Sequence, residues 1–181
     1  MRRLAVPGLV ALLAVALVGL LVFGVLQTTD DSSLDQAVAR GEKPAAQSVT
    51  LNLLDGRGTD AIANHRGRPI VVNFFASWCP PCEEEAPLLN RVQEQLEAAG
   101  GTVIGVAVDD ARSDTQGFLD KHGVRFPVLR DVDRALSKNF QVKGLPETFV
   151  IDEQGRITAL QRQQITQEWV DDHVTTLLAQ Q

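Results

Sequence analysis

Cysteine is scarce in this 181-residue chain: there are two, Cys79 and Cys82, three positions apart. That excludes a framework of several disulfides and a four-cysteine zinc site. Histidine is nearly as sparse, and His65, His122 and His173 are scattered over predicted loop and helix positions, so a mixed cysteine–histidine zinc site lacks its other ligands. No basic cluster occurs beyond Arg2 and Arg3, and 17 Lys plus Arg against 23 Asp plus Glu leave a formal charge of −6. A nucleic-acid role is disfavoured. Internal repeats, low-complexity tracts and nucleotide, flavin or metal motifs are also missing. What is present, 44% hydrophobic and 22% charged residues with 14 Gly and 8 Pro, is the composition of a globular protein. The length suits one domain with an appendage.

The appendage is the one long apolar run. Arg2 and Arg3 precede an uncharged stretch over residues 4–26, which as a helix reaches about 34 Å, enough to cross a bilayer. Pro7 stands near its start, where a missing backbone donor matters little. A cleaved secretory signal has a shorter apolar region, and cleavage at a site formed by Ala14 and Ala16 would leave residues 17–26 as an apolar new terminus, so an uncleaved anchor is expected over residues 1–26. No cysteine lies near the run to accept a lipid. Positive charge before the span and acidic residues after it place the terminus in the cytoplasm and the remainder outside, on the periplasmic side of a cell membrane. Residues 27–47 are polar and read as a linker, with a short helix around 34–40.

Over residues 48–181 strand-like and helix-like patterns alternate, which predicts an α/β domain with a sheet covered by helices. Residues 49–53 alternate and end at Asp55-Gly56, while 69–75 form a continuous apolar run suited to a buried strand; these two are expected to be neighbours. A helix is predicted over 79–99, a strand over 102–108, and a helix over 113–122 with Ser113 and Gln116 as a capping box and Gly123 as its stop. Further strands are predicted at 126–129, 148–151 and 157–160, a short helix at 132–140, and a closing helix at 166–179 with Trp169, Val170, Val174 and Leu177 inward.

The chemistry is concentrated in Trp78-Cys79-Pro80-Pro81-Cys82, at the junction of a predicted buried strand and a predicted helix. Two residues between thiols on a first helical turn bring the sulfurs close enough to join. The first thiol sits where unpaired backbone donors and the helix dipole favour its thiolate. Cys79 is then the nucleophile, and Cys82, one turn in and expected to be more buried, attacks the mixed disulfide. A structural disulfide closing so short a loop would restrain little of the unfolded chain. Glu83, Glu84 and Glu85 follow directly; they suit a helix N-terminus, and as charges beside Cys79 they would oppose its thiolate and make the pair less oxidising.

Three segments resemble the thioredoxin superfamily, specifically the membrane-tethered thiol–disulfide oxidoreductases of the TlpA, ResA and CcmG (DsbE) type: residues 71–82, Phe126-Pro127-Val128, and residues 144–152 with Gly144-Leu145-Pro146-Glu147-Thr148. The resemblance implies a thioredoxin-like fold over residues 48–181. It also implies a cis bond before Pro146 facing the cysteine pair, and a Leu145 backbone that pairs with an extended substrate segment. Trp78, Pro80, Pro81, Pro146 and Glu147 are the expected supporting residues. Glu147 is either a proton carrier or a solvated surface residue. Asn73 stands where thioredoxin has a buried aspartate, as in the tethered branch, and residues 161–166 lack the glycine expected before the last helix.

The expected protein is thus a membrane-anchored, extracytoplasmic protein disulfide reductase without cofactor or metal, acting in cytochrome c biogenesis through a monomeric soluble domain. Its expected partners are an apocytochrome c or a maturation factor as protein disulfide substrate, and a transmembrane electron donor, which the resemblance implies is a thioredoxin-driven carrier. Three alternatives stand beside it. The same pair can work as an oxidase or isomerase, since direction depends on the relative stability of the two redox forms. A peroxidase of the peroxiredoxin kind would want Thr and Pro where this chain has Ala76 and Val72. A dithiol module delivering a soft metal such as copper would need a third ligand near the motif.

Overall fold

A computed structural model describes residues 12, 14–20 and 33–179, in two units, 1–36 and 37–181. Most of the expected anchor over residues 1–26 lies outside the described residues. Of it, residues 14–20 are helical, and among the described residues no helix is long and apolar enough to cross a membrane. The short helix expected near 34–40 is α1 (Ser33–Ala39). Residues 44–46, expected to be linker, are tied to the domain: Ala45 bridges Arg156, Ala46 N donates to Gly155 O, and Ile157 N donates to Pro44 O.

Seven strands form one mixed sheet: β1 (Leu51–Leu53), β2 (Thr59–Asp60), β3 (Ile70–Phe75), β4 (Thr102–Val108), β5 (Val128–Asp131), β6 (Glu147–Ile151) and β7 (Ile157–Gln161), in the order β2-β1-β5-β4-β3-β6-β7. β3, β4 and β5 are parallel; the remaining pairings are antiparallel. The apolar run of β3 is buried along its whole length because it is the strand between a parallel and an antiparallel neighbour with both faces covered. β1 and β3 are not neighbours, which corrects the expectation. The crossovers through α2 (Pro80–Ala98) and α3 (Arg112–His122) lay β4 and then β5 outward from β3, so the edge left for β1 belongs to β5.

Several boundaries move for local reasons. Proline has no N–H, so Pro127 contributes only its carbonyl, to Gly105 N, and strand pairing starts at Val128 instead of 126. The helix expected over 132–140 shrinks to α4 (Ala135–Asn139), because the buried Asp131 carboxylate accepts the Leu136 and Ser137 amides and fixes the start there. The predicted capping box of α3 does not form. Ala111 is its N-cap, Ser113 donates to Asp114 and Gln116 to Asp120. Gly123 ends that helix in the left-handed region, φ 61°, as expected. The last helix, α5, runs from Gln167–Val170 through a π turn (Asp171–Thr175) to Thr176–Leu178, with Thr166 as its N-cap and Val170 and Val174 fully buried.

The two faces of the sheet carry different cores. On one, Val71, Phe75 and Ala107 meet Ala86, Leu89 and Val92 of α2, Phe118 of α3 and Val170 and Val174 of α5, and both cysteines belong to this cluster. On the other, Phe74, Phe140 and Phe149 pack ring against ring at centroid distances of 5.0 to 5.6 Å. Because successive strand residues point to opposite faces, this division also sorts the polar residues of β3 and β6.

Candidate functional site

β3 ends at Phe75, the chain turns through residues 76–78, and Cys79 becomes the N-cap of α2 with φ −101° and ψ 103°. Cys79 and Cys82 are joined as a disulfide with Cα atoms 5.3 Å apart. The two are buried almost equally, at 4% and 3% exposure, so the expected asymmetry between them is not seen. Trp78 beside them is 63% exposed. Pro80 and Pro81 occupy the first helical positions, where an N–H would be unpaired anyway, which is why two prolines open this helix without breaking it. Their presence alters the electrostatics expected for Cys79. The first two amide donors are absent, and the next two, of Cys82 and Glu83, both donate to Cys79 O at 3.0 and 3.4 Å. The sulfur is left with the helix dipole but few free amides.

The turn into Cys79 is pinned from the loop that opens α3. Asp110 accepts the Ser77 amide and hydroxyl, each at 2.8 Å, and the Thr115 hydroxyl at 2.9 Å.

The three glutamates following the motif separate. Glu83 pairs with Lys121 at 2.7 Å, which holds its carboxyl below the usual range, and Glu84 is exposed. Glu85 is 1% exposed and lies under the site: Oε1 accepts from Asn73 Nδ2 and from Thr148 Oγ1, each at 3.2 Å, while Oε2 is buried with no hydrogen-bond partner. Burial pushes its pKa up to about 8, against the Thr148 hydroxyl and the nearby Ile165 amide, which favour the charge. Three fixed negative charges beside Cys79 were expected; one is paired, one is in solvent and one is neutral at pH 7.

The Leu145–Pro146 bond is cis, as the resemblance implied. Glu147 pairs with Phe74, so Pro146 stands beside the end of β3 from which the chain runs to Cys79. Leu145 is half-buried and packs against the cluster that contains the cysteines. Glu147 is neither solvated nor placed to trade protons with the thiols. It is fully buried on the opposite face of the sheet from Cys82, ion-paired with Arg162, and accepts the Lys143 and Gly144 amides at 2.8 and 2.9 Å. Its neighbour Thr148 points the other way, to Asn73 and Glu85.

Glu85 had a signal in the sequence: Cys82, Ala86, Leu89, Val92 and Leu96 form one buried stripe along α2, and Glu85 stands inside it. Asp110 and Arg162 had none, since each acts on a segment distant in sequence.

A sheet with helices on both faces, a dithiol motif at the start of a helix and a cis-proline beside it define a thioredoxin-like protein of thiol–disulfide exchange. The AhpC/TSA family model matches residues 43–160, and the chain belongs to that family. It is 27% identical over 176 residues to thiol-disulfide oxidoreductase ResA of Geobacillus thermodenitrificans, covering 97% of each chain. Among solved structures it is similar to a secreted Mycobacterium tuberculosis disulfide oxidoreductase homologous to E. coli DsbE (26% identity, TM-score 0.64, 71% of this chain and 96% of that one). It is likewise similar to MTB DsbF (31% identity, TM-score 0.65, 71% and 94%). The chain is a thiol–disulfide oxidoreductase of the ResA/DsbE type.

Proposed function

We propose that this oxidoreductase works as a reductase of protein disulfides, with Cys79 as the attacking thiolate and Cys82 as the resolving thiol. Reduced Cys79 attacks a substrate disulfide and releases one substrate thiol; Cys82 then attacks the Cys79 sulfur of the mixed disulfide and releases the second. Two electrons pass to the substrate and the Cys79–Cys82 disulfide forms. The proton that Cys82 loses as it attacks goes to the departing substrate thiolate, and Glu85, one turn beyond Cys82, is uncharged at neutral pH and so sets no negative charge against the resolving thiolate.

The observation that carries the reducing direction is the use of the helix start. A strongly oxidising couple depends on a stabilised thiolate in the reduced form. Here Pro80 and Pro81 remove two amide donors and the amides of Cys82 and Glu83 are turned to the Cys79 carbonyl, so the thiolate gains less. The resemblance of Pro146-Glu147-Thr148-Phe149 to the cytochrome c maturation branch supports an apocytochrome c or a maturation factor as substrate. The Arg2-Arg3 and apolar pattern of residues 4–26 supports an anchor with the domain outside the cell membrane, supplied with electrons by a membrane protein.

The test is the midpoint potential of the full-length protein, equilibrated in thiol buffers and followed by Trp78 fluorescence. A value near or below the about −270 mV of thioredoxin is expected; one toward about −120 mV would overturn the reductase reading in favour of an oxidase.

A further inference from the structure

Residues 141–144 lead into Leu145, which the proposed function takes as the substrate edge, and they contain two features that need holding. Gln141 has φ 52°, a left-handed conformation that is unfavourable for a non-glycine residue. Lys143 and Gly144 present amides that no strand partner takes up. A single ion pair meets both needs. Arg162 Nη1 donates to Gln141 O at 2.9 Å and to Glu147 Oε2, while Glu147 Oε1 accepts the Lys143 and Gly144 amides. The guanidinium stands over the Phe149 ring, 5.5 Å from its centroid, and is fixed from below. Arg162 comes from the segment between β7 and α5, where a glycine was expected. The same segment brings the Ile165 amide toward Glu85 on the other face of the sheet.

We infer that Arg162, acting through Glu147, is a positioning residue for substrate binding: it holds residues 141–144 so that the Leu145 backbone stands ready to pair with an extended peptide. The inference deepens the proposed function and rests on Leu145 being the substrate edge of that site. Among the described residues no hydrogen bond engages the Leu145 backbone, which leaves both its polar groups without a partner within the domain. Neither Arg162 nor Glu147 is placed to touch the sulfurs. Their contribution belongs to peptide disulfides, which pair along the chain, and not to small disulfides, which meet only the cysteines.

The test compares full-length wild type, Arg162→Gln and Glu147→Gln, each reduced and freed of reductant. Each is mixed with a synthetic peptide holding a Cys-x-x-Cys disulfide flanked by three residues on either side, and separately with Ellman's reagent. The ratio of the two second-order rate constants, peptide over Ellman's reagent, is expected to fall about tenfold in Arg162→Gln, the effect of one or two misplaced main-chain hydrogen bonds. Glu147→Gln keeps an acceptor for the Lys143 and Gly144 amides while removing the charge, and the ratio should fall less. Should Arg162→Gln not fold, the ratio in Glu147→Gln decides between the two outcomes. An unchanged ratio in the folded variants, or both rates falling together, would overturn the inference while leaving the reductase reading intact. Failure of wild type to reduce either disulfide would instead overturn that reading and this inference with it.

Discussion

Asp110 and Ser77 are joined twice: one carboxylate oxygen accepts the Ser77 amide and the other its hydroxyl, both at 2.8 Å. This contact ties the turn that delivers Cys79 to the loop that opens α3, across 33 residues of sequence. Asp110→Ala removes both bonds and the one from Thr115, leaving a part-buried amide without its acceptor. The variant is expected to lose about 2 kcal/mol of stability by denaturant unfolding. The Ser77 amide, hydrogen-bonded to Asp110 in the wild type, should exchange with solvent faster by a larger factor than the global change explains. Uniform acceleration across the domain would mean that the contact carries only general stability.

Glu85 makes stability fall with pH. Its carboxyl holds its proton up to about pH 8 in the folded protein and loses it near 4.5 when unfolded. Between those values the folded state binds more protons, so unfolding becomes easier as pH rises, and the effect levels off above about 8. Between about pH 5 and about pH 8 the loss is roughly 3 kcal/mol from this group alone. Glu85→Gln, which cannot ionise, should lack this slope and be more stable than wild type at about pH 8, as read by urea unfolding of the oxidised protein. An unchanged slope would mean that Glu85 is not the group responsible.

Much of this arrangement was legible in the sequence because it is local. A continuous apolar run becomes a strand buried along its whole length, a Cys-Pro-Pro-Cys segment opens a helix, and glycine closes α3 at Gly123. The pairing of β1 was not legible, since it depends on where two crossovers leave the sheet edge. The fate of the charged residues was harder still. Glu83, Glu84 and Glu85 are identical letters, and their different environments come from the helical stripe and from Lys121 on another helix. Glu147 could be read as a surface residue because its partner, Arg162, lies just past the end of the next hairpin strand and its amide donors come from a loop with no periodicity to read.

Gly101 marks the close approach of two strand starts. A Cβ there would lie 2.2 Å from the Pro69 carbonyl oxygen, a backbone atom with little freedom to move, at the point where β3 and β4 begin to pair. Gly101→Ala should therefore destabilise the domain by about 1 to 3 kcal/mol through overpacking, seen as a lower denaturant midpoint with an unchanged slope. By contrast Gly117→Ala, which meets nothing within 4 Å on a solvent-facing part of α3, should be neutral or stabilising by about 1 kcal/mol.

The division of labour between the cysteines is open to a trapping experiment, because their near-equal burial in the disulfide leaves only chain position to distinguish them. Cys79 is the N-cap residue, preceding the helix and adjoining exposed Trp78, whereas Cys82 is inside the first turn and lines a small cavity with Asn73, Phe75 and Phe126. Trp78 opens the chain to solvent beside Cys79, whereas the cavity beside Cys82 is walled largely by apolar side chains. With Cys82→Ser, attack by Cys79 on a peptide disulfide should stop at the mixed disulfide, which accumulates as one covalent adduct per protein in mass spectrometry. Cys79→Ser should form no adduct on the same timescale, since the remaining thiol lies inside the first helical turn, one turn away from Trp78. An adduct in Cys79→Ser with none in Cys82→Ser would reverse the roles. It would require the proposed substrate edge at Leu145 to serve Cys82, against the order in which the chain presents the two sulfurs.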